Sequence, residues 1–356
     1  MKTDIICHNN EEKGMTRGHF RQNTCQFYCS RRIIPAMKSD RISSIDQFRG
    51  FAILTMVLAN YMGGTSIIPP WLKHSPDVGL TVIDLIAPFF IFTIGLTYGL
   101  SFRRRLAQDG AFKTYNQFLI RYLAILGLGA IISAGETFFG EYPSGIDWGV
   151  LQSIGMAGLI TLVVIRLPSI YRWIIGVGIL ITYQIILDNY WLDLTVRSPH
   201  GGLFGSFNWA AMLILGTVLA DLFHSEGRWK KALPWVSTAF LMVGIALAFV
   251  SPISKHRVST SYVLVSLGIS AMLFFLFNWL TGQFNWKGRF LVTWGRNPLV
   301  LYFLHYFFIG IFFLPGIPVI YQTAPLWLVL LEMTVLIGGI SAAAYWLDSR
   351  NIVISL

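Results

Sequence analysis

Charge is scarce in this chain: 12% of its 356 residues are Asp, Glu, Lys or Arg, against 54% hydrophobic residues, and mean hydropathy is +0.60. A soluble domain carries about a quarter charged residues, so that class is excluded. Cysteine is scarcer still. Cys7, Cys25 and Cys29 all lie in the polar N-terminal tail and give no disulfide framework; with His8 and His19 they fit no zinc spacing, so no metal is expected. Also missing are a Walker phosphate loop, a GxGxxG turn of the dinucleotide type, a nucleophile elbow and an HExxH helix, which disfavours ATP-driven transport and zinc hydrolysis.

Long apolar runs fill the rest. Ten of them, near 46–65, 79–101, 117–138, 149–166, 170–187, 203–222, 233–251, 262–281, 290–314 and 326–347, approach the roughly 20 residues that cross a hydrocarbon core. The expected fold is all-α: one polytopic helical bundle over residues 41–356. Pro168 in the RLPSIYR segment separates the fourth and fifth spans. Residues 1–40 lack periodicity and the apolar core of a signal peptide, so a disordered tail is expected, with Met37 as an alternative translation start.

The basic residues set an orientation. Twenty of the 27 Lys and Arg fall in the tail and every second loop, while the opposite loops hold only Lys73, Arg197, Lys255 and Arg257. The positive-inside rule then puts both termini in the cytoplasm, and the net charge of +10 reflects topology rather than nucleic-acid binding. His74, His200 and His256 face outside on this scheme.

Polar groups inside membrane spans are costly and call for a role or a partner. In the first span Arg49, Ile53, Met56 and Asn60 recur at helical steps, so one face runs from a cation to an amide about 16 Å further along. Asp46 lies one turn before Arg49, and the Ser43/Asp46 or Ser44/Gln47 spacing resembles a capping box. In the second span Asp84 stands four residues before Pro88, whose missing N–H leaves the Asp84 carbonyl unbonded. Between these spans the stiff loop IIPPWLKHSPDVG carries His74, a residue type suited to general-base work near neutral pH. In span nine, WGRNPLVLYFLH pairs Arg296 and Asn297 with a helix-breaking Pro298, and His305 lies inside the membrane. Arg49, Arg121 and Arg296 make the inner mouth cationic, attractive to a phosphorylated ligand, although topology also explains such charges.

The stretches RISSIDQFRGFAILTMVLANY, KH and GLTVIDLIAPFFIFTIG together resemble the transmembrane acyltransferases related to heparan-α-glucosaminide N-acetyltransferase, with weaker likeness in SPHGGLFGSFNWAAMLILG and WGRNPLVLYFLH. The resemblance implies acetyl transfer from cytoplasmic acetyl-CoA to an amino sugar or cell-envelope glycan outside. On that implication His74 is general base or acyl carrier, Asn60 and Asp84 assist it, and Arg49, Asp46, Arg296, Asn297 and Arg121 hold the donor, with His305 and His200 in the polar cavity. A bacterial or archaeal cytoplasmic membrane is the expected setting, with membrane lipid as partner and a homodimer left open. Two positions depart from the family pattern: Asp77 and Val78 stand where a Trp-Asn pair is frequent, and His200 stands where a Glu is frequent. A secondary transporter using Asp84, Arg49 and Asn60, or a non-catalytic homologue, is the rival expectation.

Overall fold

A computed structural model describes residues 43–138, 148–198, 200–225, 228–284, 286–313 and 317–354. The expected tail of residues 1–40, its cysteines and the alternative start at Met37 lie outside them. Among the described residues the chain is helical, with no strand and one isolated antiparallel bridge between Val78 and Ser254.

The helices are α1 (Ser43–Gly63), α2 (Ile86–Asp109), α3 (Ala111–Phe138), α4 (Val150–Val164), α5 (Ser169–Ile186), α6 (Leu192–Val196), α7 (Gly202–His224), α8 (Arg228–Leu247), α9 (Thr260–Phe284), α10 (Arg289–Arg296), α11 (Pro298–Phe313) and α12 (Leu326–Ser349). Every expected stretch contains a helix. Among the described residues, six segments are long and apolar enough to cross a membrane: Ile83–Asp109, Ala111–Gly135, Ser169–Val196, Gly202–His224, Thr260–Phe284 and Leu326–Ser349. Val150–Val164, Lys231–Leu247 and Pro298–Phe312 are apolar but shorter.

Prolines set several boundaries. Pro168 precedes α5, Pro325 precedes α12, and Pro298 opens α11 after the break at Asn297. Each lacks the N–H that an uninterrupted helix would use, while its fixed φ suits a first turn or the residue before it. The ninth stretch is therefore two helices.

Lipid is as apolar as leucine, so burial alone does not order such helices; close packing does. The most apolar window of α7 is 83% buried, whereas that of α12 is 22% buried, which puts α7 in the centre and α12 at the rim. Leu330, Leu331 and Val335 on α12 are exposed. The first helix crosses α10 backbone to backbone: a methyl on Gly50 would enter the Leu291 carbonyl, and one on Gly295 would enter that of Asp46. That crossing brings Arg49 Nη1 to 3.4 Å from the Gly295 carbonyl, one residue before Arg296. The anticipated capping box at the start of α1 serves a different purpose, because Gln47 Nε2 donates to the Trp286 carbonyl at 3.0 Å and its Oε1 accepts from Thr281 at 2.8 Å. These bonds tie α1 to α9 and to the segment before α10.

Candidate functional site

Two polar regions lie at opposite ends of the stripe on α1. At one end, the loop from Pro69 to Val82 carries His74, and a single 3₁₀ turn, Ile83–Leu85, carries Asp84 just ahead of α2. The carbonyl that Pro88 leaves unbonded is satisfied by the Tyr262 hydroxyl of α9, which donates to the Asp84 oxygen at 2.6 Å. The fixed backbone holds the carboxylate in place. Its side chain is fully buried and accepts from the Ser75 amide (3.3 Å), the Thr81 amide (3.0 Å) and the Thr81 hydroxyl (3.0 Å), while Oδ1 lies 2.8 Å from His74 Nδ1.

His74 is half-exposed at 48%, so one edge of the ring is anchored and the rest is reachable. With Nδ1–H donated to Asp84, Nε2 presents a lone pair. Burial is the largest influence on the imidazole and holds it below the ordinary histidine range; the Asp84 hydrogen bond raises it and the Lys255 ammonium lowers it.

Lys255 completes this corner. Its side chain is only 3% exposed, with Nζ 3.0 Å from His74 Nδ1 and 3.7 Å from Asp84 Oδ1. Burial brings the ammonium down to about 8 despite the favourable Asp84 charge. The neighbouring backbone is stapled to the His74 loop: Gly79 N donates to the Ile253 carbonyl at 2.8 Å, Ser254 Oγ donates to Asp77 Oδ1 at 2.7 Å, and Arg257 grips both Asp77 oxygens. Arg257 holds the Asp77 carboxyl below its usual range. Asp77, one of the departures from the family pattern, thus has a built partner.

The sequence reading missed Lys255, Arg257 and Tyr262. A signal existed, since Lys255 and Arg257 are two of the four Lys or Arg in the loops least rich in them. His256, in the same loop, is lowered by burial and by Lys255. His200 shares the neighbourhood: burial holds it well below the histidine range, Lys255, His74 and His256 add to that effect, and its Nδ1 is buried with no hydrogen-bond partner among the described residues.

At the other end is a cavity of about 330 Å³. Arg49, Ile53 and Met56 line it, as the helical spacing anticipated, together with Phe90, Thr93 and Tyr98 of α2, Arg121 and Tyr122 of α3, Leu151 of α4, and Arg296 and Tyr302 across the α10–α11 break. Arg49 Nη1 donates to Asp46 Oδ1 at 3.1 Å, so Asp46 braces an arginine. Arg296 pairs with Asp348, yet Arg296 Nε and Arg121 Nε are buried with no hydrogen-bond partner among the described residues.

Two expectations change. Asn60 was expected to assist His74; its Nδ2 instead meets His305 Nε2 at 2.8 Å, because both residues stand one turn past the cavity residues Met56 and Tyr302. The amide thereby fixes His305 as an acceptor at Nε2, with Nδ1 directed at the Tyr302 carbonyl. Asn297 was expected to contact the donor. Its amide is occupied by the C-terminal segment, donating to the Ile352 carbonyl at 2.9 Å and accepting from Ile354 N at 2.8 Å, because the chain after α12 folds back against the helix break.

A bundle of membrane-length helices with an anchored His–Asp pair at one end of a polar stripe and an arginine-lined cavity at the other defines a multi-pass integral membrane protein with a built site. Residues 41–307 match the family described as heparan-alpha-glucosaminide N-acetyltransferase, catalytic, and the chain belongs to that family. Two relatives bear the name heparan-alpha-glucosaminide N-acetyltransferase. The one from Mus musculus is 30% identical over 142 residues, 38% of this chain and 20% of the relative; the one from Homo sapiens is 32% identical over 123 residues, 33% and 18% respectively. The matched stretch thus spans about a fifth of either relative.

Proposed function

We propose that the protein is a transmembrane acetyltransferase that takes an acetyl group from acetyl-CoA on the cytoplasmic side and places it on the amine or hydroxyl of a sugar or glycan on the other side. The observation that carries this reading is the anchored imidazole: His74 is held at Nδ1 by a buried carboxylate and half-exposed elsewhere. That is the arrangement a general base needs. Family membership supports the reaction class.

The cationic cavity fits the donor in kind. Three arginines line it, two of them with a buried Nε lacking a partner, as expected of groups that await phosphate oxygens. Phe90, Ile94 and Leu151 supply apolar wall for an extended arm. Acetyl-CoA supplies the acetyl group and a thiol leaving group. The chain's residues do the rest: Arg49, Arg121 and Arg296 hold phosphate, His74 Nε2 takes the proton of the attacking amine or hydroxyl, and Asp84 stabilises the imidazolium that forms. The new N–C or O–C bond forms as the C–S bond breaks; the proton held by His74 leaves to solvent at the exposed face, and the departing CoA thiolate takes one up from solvent on its own side, which completes free CoA.

The test is mass spectrometry of purified protein in detergent given acetyl-CoA and glucosamine. Acetylated sugar and free CoA in equal amounts are expected. Acetyl-CoA left intact across a panel of amino sugars and neutral glycans would sink the proposal.

A further inference from the structure

The contacts at His74 Nδ1 make contradictory demands. A carboxylate can only accept a hydrogen bond and an ammonium can only donate one, while Nδ1 carries either a hydrogen or a lone pair. Asp84 Oδ1 at 2.8 Å requires Nδ1–H; Lys255 Nζ at 3.0 Å requires the lone pair. Both partners are buried, at 0% and 3% exposure, and water cannot substitute easily for either.

We propose that Lys255 is a positioning residue that governs which ring nitrogen of His74 carries the hydrogen. The inference rests on His74 being the base. When Lys255 is charged and donates to Nδ1, the hydrogen of neutral His74 sits on Nε2 and the outward nitrogen is no base. When Lys255 loses its proton, Asp84 claims Nδ1–H and Nε2 becomes the acceptor.

Lys255 is placed for this by its surroundings. Its loop is clamped to the His74 loop by the Asp77–Arg257 pair and by Ser254. The other titratable groups around it are Asp84 at the head of α2, His256 in the same loop and His200 before α7. Burial favours neutral forms of both histidines, which leaves Asp84 as the countercharge to Lys255 in this corner. The ammonium is at about 8, within the range where such a switch operates.

The test joins a pH profile of kcat/KM with ¹⁵N NMR of histidine-labelled full-length protein in detergent micelles, the His74 signals being assigned by their loss in His74→Gln. In the wild type, the Nδ1–H form of His74 is expected to grow as pH passes upward through about 8. In Lys255→Met, Nδ1–H is expected at every pH where the ring is neutral, and the acidic limb of the rate profile moves to lower pH, to where the ring itself gains a proton. Lys255→Arg, which stays charged throughout, keeps the hydrogen on Nε2 and removes the rise in rate near pH 8, and Asp84→Asn, which takes away the countercharge of Lys255, moves the limb to lower pH. An unchanged tautomer ratio and an unmoved limb in Lys255→Met would overturn the inference. If that variant does not fold, a wild-type tautomer ratio that stays constant from about pH 6 to 10 does the same. The NMR arm needs no turnover, so failure of the proposed reaction and failure of this inference are read separately.

Discussion

The His74 end and the arginine end of the protein are both charged, but they are built on different principles. At the His74 end the charges meet opposite charges: Asp84 faces His74 and Lys255, and Asp77 faces Arg257. At the arginine end, three guanidinium groups face two carboxylates, Asp46 and Asp348, among the described residues. A balanced network positions a proton among fixed groups. A network with surplus cations waits for an anion from outside. This division suits the proposed enzyme, acting chemically at one end and holding a phosphorylated donor at the other.

The largest expected effect tests that division directly. His74→Gln should lower kcat by about 10²–10⁴-fold, the usual worth of a positioned base, and leave the Kd for acetyl-CoA within about twofold. Steady-state kinetics beside equilibrium binding checks it; a parallel loss of both would erase the distinction between the ends. Next comes Arg121→Ala, which should weaken acetyl-CoA binding by roughly 10–100-fold, the value of a charge-assisted hydrogen bond, while kcat at saturating donor changes little. Isothermal titration calorimetry reads it.

A third effect concerns stability. Asp84→Ala leaves Lys255 buried with no countercharge, and breaking one side of a buried pair costs about 3–5 kcal/mol, so a clear fall in Tm is expected by scanning fluorimetry. Arg257→Lys should be milder, because the Asp77–Arg257 pair is partly exposed and such pairs are worth about 0.2–1 kcal/mol. Its signature is a small fall in kcat with unaltered donor binding.

The pH dependence belongs to the same end. His74 must be neutral to accept a proton, and its range is lowered by burial, so in Lys255→Met activity should persist below the ordinary histidine value of about 6.5 before falling as the ring gains a proton. In the wild type the limb lies higher, near the Lys255 value of about 8.

How much of this was legible in the sequence depended on whether a feature is local. The stripe of Arg49, Ile53 and Met56 follows from helical period and does line the cavity. Asp84 and Pro88 mark the start of α2 through backbone chemistry, and the broken helix at Asn297 and Pro298 does the same for α10 and α11. Partners chosen across the fold were not legible. Nothing periodic joins Asn60 to His305, or His74 to Lys255 in a loop about 180 residues later. Asp77 looked like a departure from a pattern because Arg257, which explains it, becomes its neighbour only after folding.

The most direct measurement places the two substrates on opposite sides of a membrane. In proteoliposomes of uniform orientation, radiolabelled acetyl-CoA is sealed on the side of Arg49, Arg121 and Arg296, and a membrane-impermeant amino sugar is added on the side of His74. Acetylated sugar should form in that arrangement, fail to form when the two are exchanged, and disappear in His74→Gln. Product that forms only when donor and acceptor share one side would contradict an enzyme divided between two ends.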